Sequence, residues 1–150
     1  MKNITIQSRT YPDEDIYGDT FLVIDNNHIV FACVGSACPN PHKPFNFKLK
    51  WEACYGFINV GTFYYKCIYH WKFGKCILIN DGKEVNARAP NLNHGGKYFM
   101  KKVYIHKGYK STWRGSAGCL TIHPELWHAF IWNFKCGDTG KIIVREDEGL

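Results

Sequence analysis

Apolar and polar residues alternate along much of the chain, which is the pattern of β-strands that bury one face. The alternation starts in residues 3–9 and returns in residues 20–34, where two apolar segments flank Asp25-Asn26-Asn27. Turn-forming residues between two apolar segments predict a β-hairpin. Further strands are predicted at residues 74–79, 103–105 and 141–145. The pattern therefore predicts a mostly β protein.

One segment follows a different period. Between Pro124 and Cys136 the apolar residues recur at spacings of three and four, which predicts a helix with one face packed on the sheet. Proline suits the first position of a helix, and Gly137 suits a left-handed residue just after its end. We expect one domain spanning residues 1–150, with sheets of the β-sandwich or β-barrel type and one main helix near residues 124–135.

Two further segments contain residues that suit binding as well as folding. Residues 51–71 are dense in aromatic side chains and predict strands. We expect these aromatics to fill the core, and a stacking platform for bases or sugars is the alternative. Residues 83–97 are polar and predict a substrate loop, in which His94 is a secondary candidate for the functional site.

Composition narrows the class of protein. No apolar run approaches the ~18 residues that span a bilayer, and the N-terminal segment lacks the apolar centre of a secretion signal. We therefore expect a chain made in the cytoplasm, with no membrane span. The formal net charge of +6 suits an anionic partner, but it does not choose between nucleic acid, acidic lipid and cell-wall polymer.

The cysteines do not form a recognisable framework. There are seven of them, an odd number, and a chain of this length does not need disulfides to fold, so we expect mostly reduced thiols. Cys33, Cys38 and His42 are close in sequence, but the paired spacing of a zinc site is missing. We therefore expect neither a metal nor another cofactor.

The segment from Tyr104 to Thr121 contains the strongest candidate chemistry. A predicted strand ends at His106, and Cys119 follows a polar loop and the small residues Ser116, Ala117 and Gly118. A histidine can activate a thiol, and small residues let backbone N–H groups gather around an acyl oxyanion. The pattern predicts Cys119 as a nucleophile with a lowered pKa and His106 as its base.

This segment resembles the active-site signature of the L,D-transpeptidase catalytic domain. Ile105-His106 with Gly108 resembles the strand-end element of that family, and Ser116-Ala117-Gly118-Cys119 resembles its Ser-x-Gly-Cys element. Ala117 stands where the family usually has histidine, and Leu120-Thr121 replaces an arginine common after the cysteine. The resemblance implies acyl-enzyme chemistry on peptidoglycan stem peptides, with Cys119 as nucleophile and His106 as base.

Basic and polar residues near this segment are candidates for substrate binding. They are Arg114, Lys107, Tyr104 and His94. The pattern Gly-Ser-Ala-Gly-Cys-x-Thr-Ile also resembles small phage-encoded proteins that act on peptidoglycan, which favours hydrolysis, as in an endolysin, over crosslinking. Action on the cell wall would then follow release or delivery of the protein.

Two alternatives stay open. The first is a transpeptidase that crosslinks or exchanges stem peptides. The second is a non-enzymatic, basic and aromatic β-domain that binds nucleic acid or glycan strands. The enzyme hypothesis predicts an accessible Cys119 that is more reactive near neutral pH than the other six cysteines. The binding hypothesis predicts salt-dependent affinity for a polyanion. The sequence leaves the oligomeric state open.

Overall fold

The computed structural model describes residues 1–8, 17–37, 58–87, 99–109 and 119–146. Within these ranges the chain forms ten strands, one α-helix and a short 3-10 turn at Asn80–Gly82. The elements are β1 Lys2–Ser8, β2 Asp19–Asp25, β3 His28–Ser36, β4 Gly61–His70, β5 Gly74–Ile79, β6 Val85–Asn86, β7 Phe99–Met100, β8 Tyr104–Lys107, β9 Leu120–Ile122, α1 Trp127–Ile131 and β10 Thr139–Glu146. The mostly β fold with one main helix is confirmed.

Eight of the strands close into a barrel in the order β1-β10-β4-β5-β8-β9-β3-β2. Neighbouring strands are antiparallel except at two places, where β1 runs parallel to β10 and β8 runs parallel to β9. The remaining strands, β6 and β7, form a separate two-stranded sheet. Closure pairs the edge strands with each other, so the barrel leaves no open edge.

The predicted first hairpin is confirmed. β2 and β3 pair antiparallel, and the turn between them is made by Asn26 and Asn27. Both residues have positive φ angles, 49° and 64°. Asparagine accepts this left-handed conformation more readily than most residues, which is why this pair directs the chain back on itself.

Alternation along the strands builds the core. Inward positions of neighbouring strands are paired in register, for example Ile77 with Ile105 and Ile105 with Leu120, and all three side chains are fully buried. The helix adds Phe130 and the segment that follows it adds Phe134. Their rings contact the inward-facing Phe21 of β2 and Tyr65 of β4 at centroid distances of 6.4 and 5.5 Å. The helix therefore packs onto the barrel interior, as its apolar stripe predicts.

The helix is shorter than predicted. Residues 124–126 form a turn, α1 spans only Trp127–Ile131, and Gly137 (φ 100°) lies in a later turn before β10. The side-chain amide of Asn133 donates hydrogen bonds to the carbonyls of Ala129 and Phe130, at 3.1 and 3.0 Å. These carbonyls are acceptors that further helical turns would use, so the side chain ends the helix early.

The aromatic segment is divided between the two faces of β4. Phe63 and Tyr65 point into the core and are almost fully buried, whereas Tyr64 on the same strand is 62% exposed. Tyr69 and Trp71 at the end of the hairpin are 77% and 87% exposed. The prediction of a core role is therefore wrong for the outward half, because a strand buries only every second side chain.

The described part of the polar segment 83–97 contains β6, which pairs with β7, and a bridge between Ile58 and Ala87. Residues 88–97 of that predicted loop lie outside the described residues, as do residues 51–57 at the start of the aromatic segment. Within the described ranges, no helix has the length and apolarity to cross a membrane.

Candidate active site

The parallel pairing of β8 and β9 brings the two predicted catalytic residues onto neighbouring strands. His106 pairs with Thr121, and Ile105 pairs with Leu120. Extending this register by one residue places Cys119, which directly precedes β9, opposite Tyr104, and Tyr104 shares a face of the sheet with His106. Strand spacing and rise then put the Cα atoms of His106 and Cys119 about 8 Å apart. This face lies outside the barrel, because Ile105 and Leu120 fill the interior.

The imidazole of His106 is held by the main chain. Its Nδ1 lies 2.9 Å from the carbonyl oxygen of Lys107. A carbonyl can only accept, so Nδ1 carries the proton in the neutral ring and Nε2 keeps the lone pair. No carboxylate is needed for this arrangement. The bond leaves His106 with the tautomer that a general base requires.

An aromatic cluster covers His106. We define the hairpin cluster as His70, Phe73, Tyr104 and His106. Phe73 lies parallel to His106, with ring centroids 4.3 Å apart and planes 2° apart, and it meets Tyr104 edge-on at 5.5 Å. His70 stacks on Phe73 at 4.7 Å and meets Tyr104 edge-on at 5.1 Å. As a result His106 is only 7% exposed although it lies on the outer face.

The turn between β4 and β5 is fixed by His70. Its Nδ1 accepts hydrogen bonds from the backbone N–H groups of Lys72 and Phe73, at 3.0 and 3.3 Å. This shared bond holds the turn so that Phe73 folds back over β8. Sequence analysis missed the contribution of this hairpin to the site. Aromatic residues at the turn were a visible signal, but nothing in the sequence indicates that β5 pairs with β8.

The thiol of Cys119 lies among main-chain groups at the start of β8. Its Sγ is 3.9 Å from the carbonyl oxygen of Lys102. The residue as a whole is partly exposed, but burial of the sulfur raises the pKa of the thiol to about 11, while a backbone hydrogen bond from Tyr104 and the charge of Lys72 act in the lowering direction. The pKa is thus shifted opposite to the expectation from sequence, because desolvation of the thiolate outweighs the two stabilising contacts.

The pKa of His106 is lowered from its ordinary value. Burial is the main cause, the hydrogen bond to Lys107 acts in the raising direction, and the charges of Lys72 and His70 lower the pKa further. A raised thiol pKa and a lowered imidazole pKa both favour the uncharged forms. At neutral pH the resting pair is therefore a thiol beside a neutral imidazole, and not a thiolate–imidazolium pair.

Thr121 adds a hydroxyl group at the same place. Its side chain is fully buried opposite His106, and its Oγ1 makes no hydrogen bond within the part of the chain that the structure describes. A buried hydroxyl without a partner costs about 1–3 kcal/mol. Because the hydroxyl oxygen is itself buried, a water or a substrate reaches it only if the groups around it move.

Gly108 explains one element of the sequence pattern. Its N–H donates to the carbonyl of Ile122 at 2.9 Å, which continues the pairing of β8 and β9. A Cβ atom at this position would collide with the hydroxyl of Tyr17 and approach the Ile122 carbonyl oxygen to 3.0 Å. Glycine is thus required here by close packing and not by its backbone angles.

The other predicted site residues divide into three groups. Tyr104 shares the face of His106 and belongs to the hairpin cluster. Alternation along β8 directs the Lys107 side chain to the opposite face, so Lys107 contacts the site through its carbonyl. The remaining candidates lie outside the described residues and stay predictions; they are Arg114, Ser116, Ala117, Gly118 and His94.

Among the described residues, no group of three His, Cys, Asp or Glu side chains is arranged to hold a metal ion. Of Cys33, Cys38 and His42, which are close in sequence, only Cys33 is among the described residues. It is buried in β3, where desolvation raises the pKa of its thiol to about 12. A buried neutral thiol of this kind is a core residue.

A cavity of about 690 Å³ lies elsewhere on the barrel, against β4, β10 and the 3-10 turn. Its lining includes Tyr64, Lys66, Lys83 and Lys141. Neither Cys119 nor His106 contributes to it. The cavity is therefore separate from the candidate site at β8 and β9.

Comparison with known proteins gives no family assignment. No protein-family model, no curated protein and no solved structure matches this chain. The class of fold, an eight-stranded mixed barrel with one short helix, is defined by the structure, and the function has to be argued from the site itself.

Proposed function

We propose that the protein catalyses cysteine-dependent acyl transfer, with Cys119 as nucleophile and His106 as general base. The observation that carries the proposal is the hydrogen bond between His106 Nδ1 and the Lys107 carbonyl, on the strand next to Cys119. It leaves Nε2 with a free lone pair and therefore able to take a proton.

The neutral resting pair fits a general-base mechanism. Nε2 of His106 takes the thiol proton as Sγ of Cys119 attacks a carbonyl carbon, and the tetrahedral intermediate collapses when the imidazolium returns that proton to the leaving amine. The product is a thioester on Cys119. Water, activated by His106, then releases the carboxylic acid and restores the thiol. The residues predicted to stabilise the oxyanion, Ser116 to Gly118, supply backbone N–H groups in this proposal.

The proposed substrate is the stem peptide of peptidoglycan. Support comes from the sequence resemblance to L,D-transpeptidases and from the net charge of +6, which suits an anionic polymer. Hydrolysis is preferred because of the resemblance to phage-encoded proteins, which implies a cell-wall peptidase of the endolysin type with antimicrobial action. Transfer to a second amine, giving crosslinked or exchanged peptides, is the alternative within the same chemistry.

Mass spectrometry of purified peptidoglycan fragments tests this proposal. The native protein should shorten or separate stem peptides, and Cys119→Ala and His106→Ala should not. Cys136→Ala is the matched control, because Cys136 is an exposed thiol away from β8 and β9, and it should keep full activity. New dimers or exchanged terminal residues would indicate transpeptidation. Products that persist in Cys119→Ala, or a complete absence of products, would overturn the proposal.

A second candidate function has one specific observation in its favour. Three large aromatic side chains, Tyr69, Trp71 and Trp132, are 77%, 87% and 86% exposed. Exposed aromatics with surrounding positive charge can stack on bases or sugars. This hypothesis predicts binding to a polyanion or glycan strand that weakens steeply with salt and that does not depend on Cys119.

A further inference from the structure

We infer that Lys72, at the tip of the β4–β5 hairpin, binds a carboxylate of the acyl donor beside Cys119 and His106. The inference rests on the proposed acyl-transfer function and extends it, because it assigns the binding of an anionic group to a residue that sequence analysis did not select. The inference is based on the contacts by which the β4–β5 hairpin covers the outer face of β8.

The hairpin holds Lys72 next to the candidate catalytic pair. Its backbone N–H is fixed by His70 Nδ1 at 3.0 Å, and its Nζ lies 5.7 Å from the centre of the Phe73 ring. That ring in turn lies flat on His106 and contacts Tyr104, the residue opposite Cys119. The turn therefore brings a cation to the edge of the site.

The charge of Lys72 reaches both reacting groups. It lowers the pKa of Cys119 and that of His106, although burial dominates both shifts. The geometry agrees for His106, because the Phe73 ring that lies flat on the imidazole is also 5.7 Å from the ammonium group. The described part of β8 and β9 offers no comparable cation on this face, since alternation directs Lys107 away from it. Lys72 itself is exposed and can accept a ligand.

A carboxylate is the group that this position fits. Stem peptides carry several carboxylates, and an exposed ammonium group next to a partly desolvated site attracts an anion without a rigid cage. The substrate would be anchored at the hairpin while its scissile carbonyl lies over β8 and β9.

Alkylation of Cys119 tests the placement of Lys72 without any enzymatic activity. The rate constants for iodoacetate, an anion, and iodoacetamide, its neutral analogue, are measured by mass spectrometry at the same pH. Their ratio reports the local field and cancels changes in thiol pKa. Lys72→Met should lower the ratio at Cys119 roughly threefold at low salt, the Coulomb effect of one charge at about 7 Å in water. High salt should abolish the difference.

Two controls keep this experiment specific. Lys141→Met removes an equal charge from β10 and should leave the ratio at Cys119 unchanged. Within the Lys72→Met protein, the ratio at the exposed Cys136 should also be unchanged. A ratio at Cys119 that does not respond to Lys72→Met overturns the inference, whatever the protein does to peptidoglycan.

The substrate assignment is tested with a synthetic stem tetrapeptide and the same peptide with its carboxyl groups amidated. The native protein should prefer the carboxylate form. Lys72→Met should raise KM for that form with little change in kcat and lose the preference, and Lys72→Arg should restore it. A preference that survives in Lys72→Met overturns the inference. If the native protein processes neither peptide but the alkylation ratio still falls, the anion-attracting site stands and the peptidoglycan function fails.

Discussion

The ring of Phe73 lies flat against the imidazole of His106, with centroids 4.3 Å apart and planes within 2° of each other. The contact joins the turn of the β4–β5 hairpin to β8, and β5 is the strand of this hairpin that pairs with β8. It also keeps water from one face of the imidazole. Because burial is the main cause of the lowered pKa of His106, the hairpin contributes to the protonation state of the proposed base.

Removing the ring should therefore raise the pKa of His106. In Phe73→Ala, water reaches the imidazole and its pKa should move up toward the ordinary histidine value, as followed by NMR titration of the ring protons. Trp71→Ala is the matched control, because that indole stacks on His70 and is itself largely exposed, so its loss should leave the His106 titration unchanged. An unchanged pKa in Phe73→Ala would mean that other groups exclude the water.

Stability should fall at mildly acid pH because of the same residue. A folded-state pKa below the unfolded value means that the unfolded chain binds more protons in the interval between them. The contribution of His106 is therefore present above about pH 6.5 and is lost as the pH falls through the lowered pKa. Urea unfolding between pH 4 and 8 measures this slope, and it should be shallower in His106→Gln than in the native protein.

A second loss of stability is expected at alkaline pH. Burial raises the pKa values of Cys33, Cys67 and Cys76 to about 12 and that of Cys119 to about 11, from an ordinary value of 9.0. The folded state then retains protons that the unfolded state has lost. The contribution of these four thiols to stability should be constant below about pH 9 and should decline as the pH rises toward their folded pKa values.

Unfolding free energies measured between pH 8 and 11 test the alkaline prediction. Cys76→Ala should reduce the slope, because one raised thiol pKa is removed. Cys136→Ala should reduce it less, because Cys136 is exposed and only contributes to the raised pKa values of its neighbours Cys67 and Cys76. Equal slopes in the native protein and in Cys76→Ala would show that the buried thiol does not set the alkaline limit.

The buried hydroxyl of Thr121 has no hydrogen-bond partner among the described residues. We expect its removal to change stability and activity in opposite directions. Thr121→Val replaces a buried hydroxyl without a partner by a methyl group and should leave stability unchanged or raise it by about 1 kcal/mol. Thr121→Ser keeps the hydroxyl and removes the methyl, so it should be less stable than Thr121→Val. Thermal unfolding of the native protein, Thr121→Val and Thr121→Ser measures the order of their stabilities.

If the hydroxyl contacts the substrate, Thr121→Val should lose cleavage of stem peptides and Thr121→Ser should keep part of it. The serine variant is the informative comparison, since it preserves the donor at some expense of packing. Equal activity in the native protein and in Thr121→Val would mean that Thr121 has only a structural role, between His106 and the neighbouring strand β3.

Much of the barrel follows from local patterns. Asn26-Asn27 between two apolar segments predicts the first hairpin, and alternation predicts β5, β8 and β10 to within one or two residues. The helix was located correctly, but its length depends on hydrogen bonds from the Asn133 side chain, which the apolar period does not contain. The period of the apolar residues shows which face of the helix is buried, but it does not show where the helix ends.

The site was predictable only in part. Cys119 and His106 are close in the sequence, and their small neighbours and glycines indicate a functional loop. The contribution of Phe73 and Lys72 comes from strand order, since β5 has to lie beside β8 before the hairpin can cover His106. The direction of the thiol pKa shift could not be predicted either, because it depends on how completely the sulfur is removed from water.

The parallel pairing of β1 with β10 has a consequence for how the protein assembles. Asn3 and Lys141, which are joined across this seam by a hydrogen bond at 3.0 Å, are 138 residues apart in the sequence. Contacts of such separation form slowly, since much of the chain has to be ordered before they close. β4 has β10 as its second neighbour, so the hairpin over His106 gains its full support only after β10 has formed. The seam between β1 and β10 is therefore expected to close late in folding.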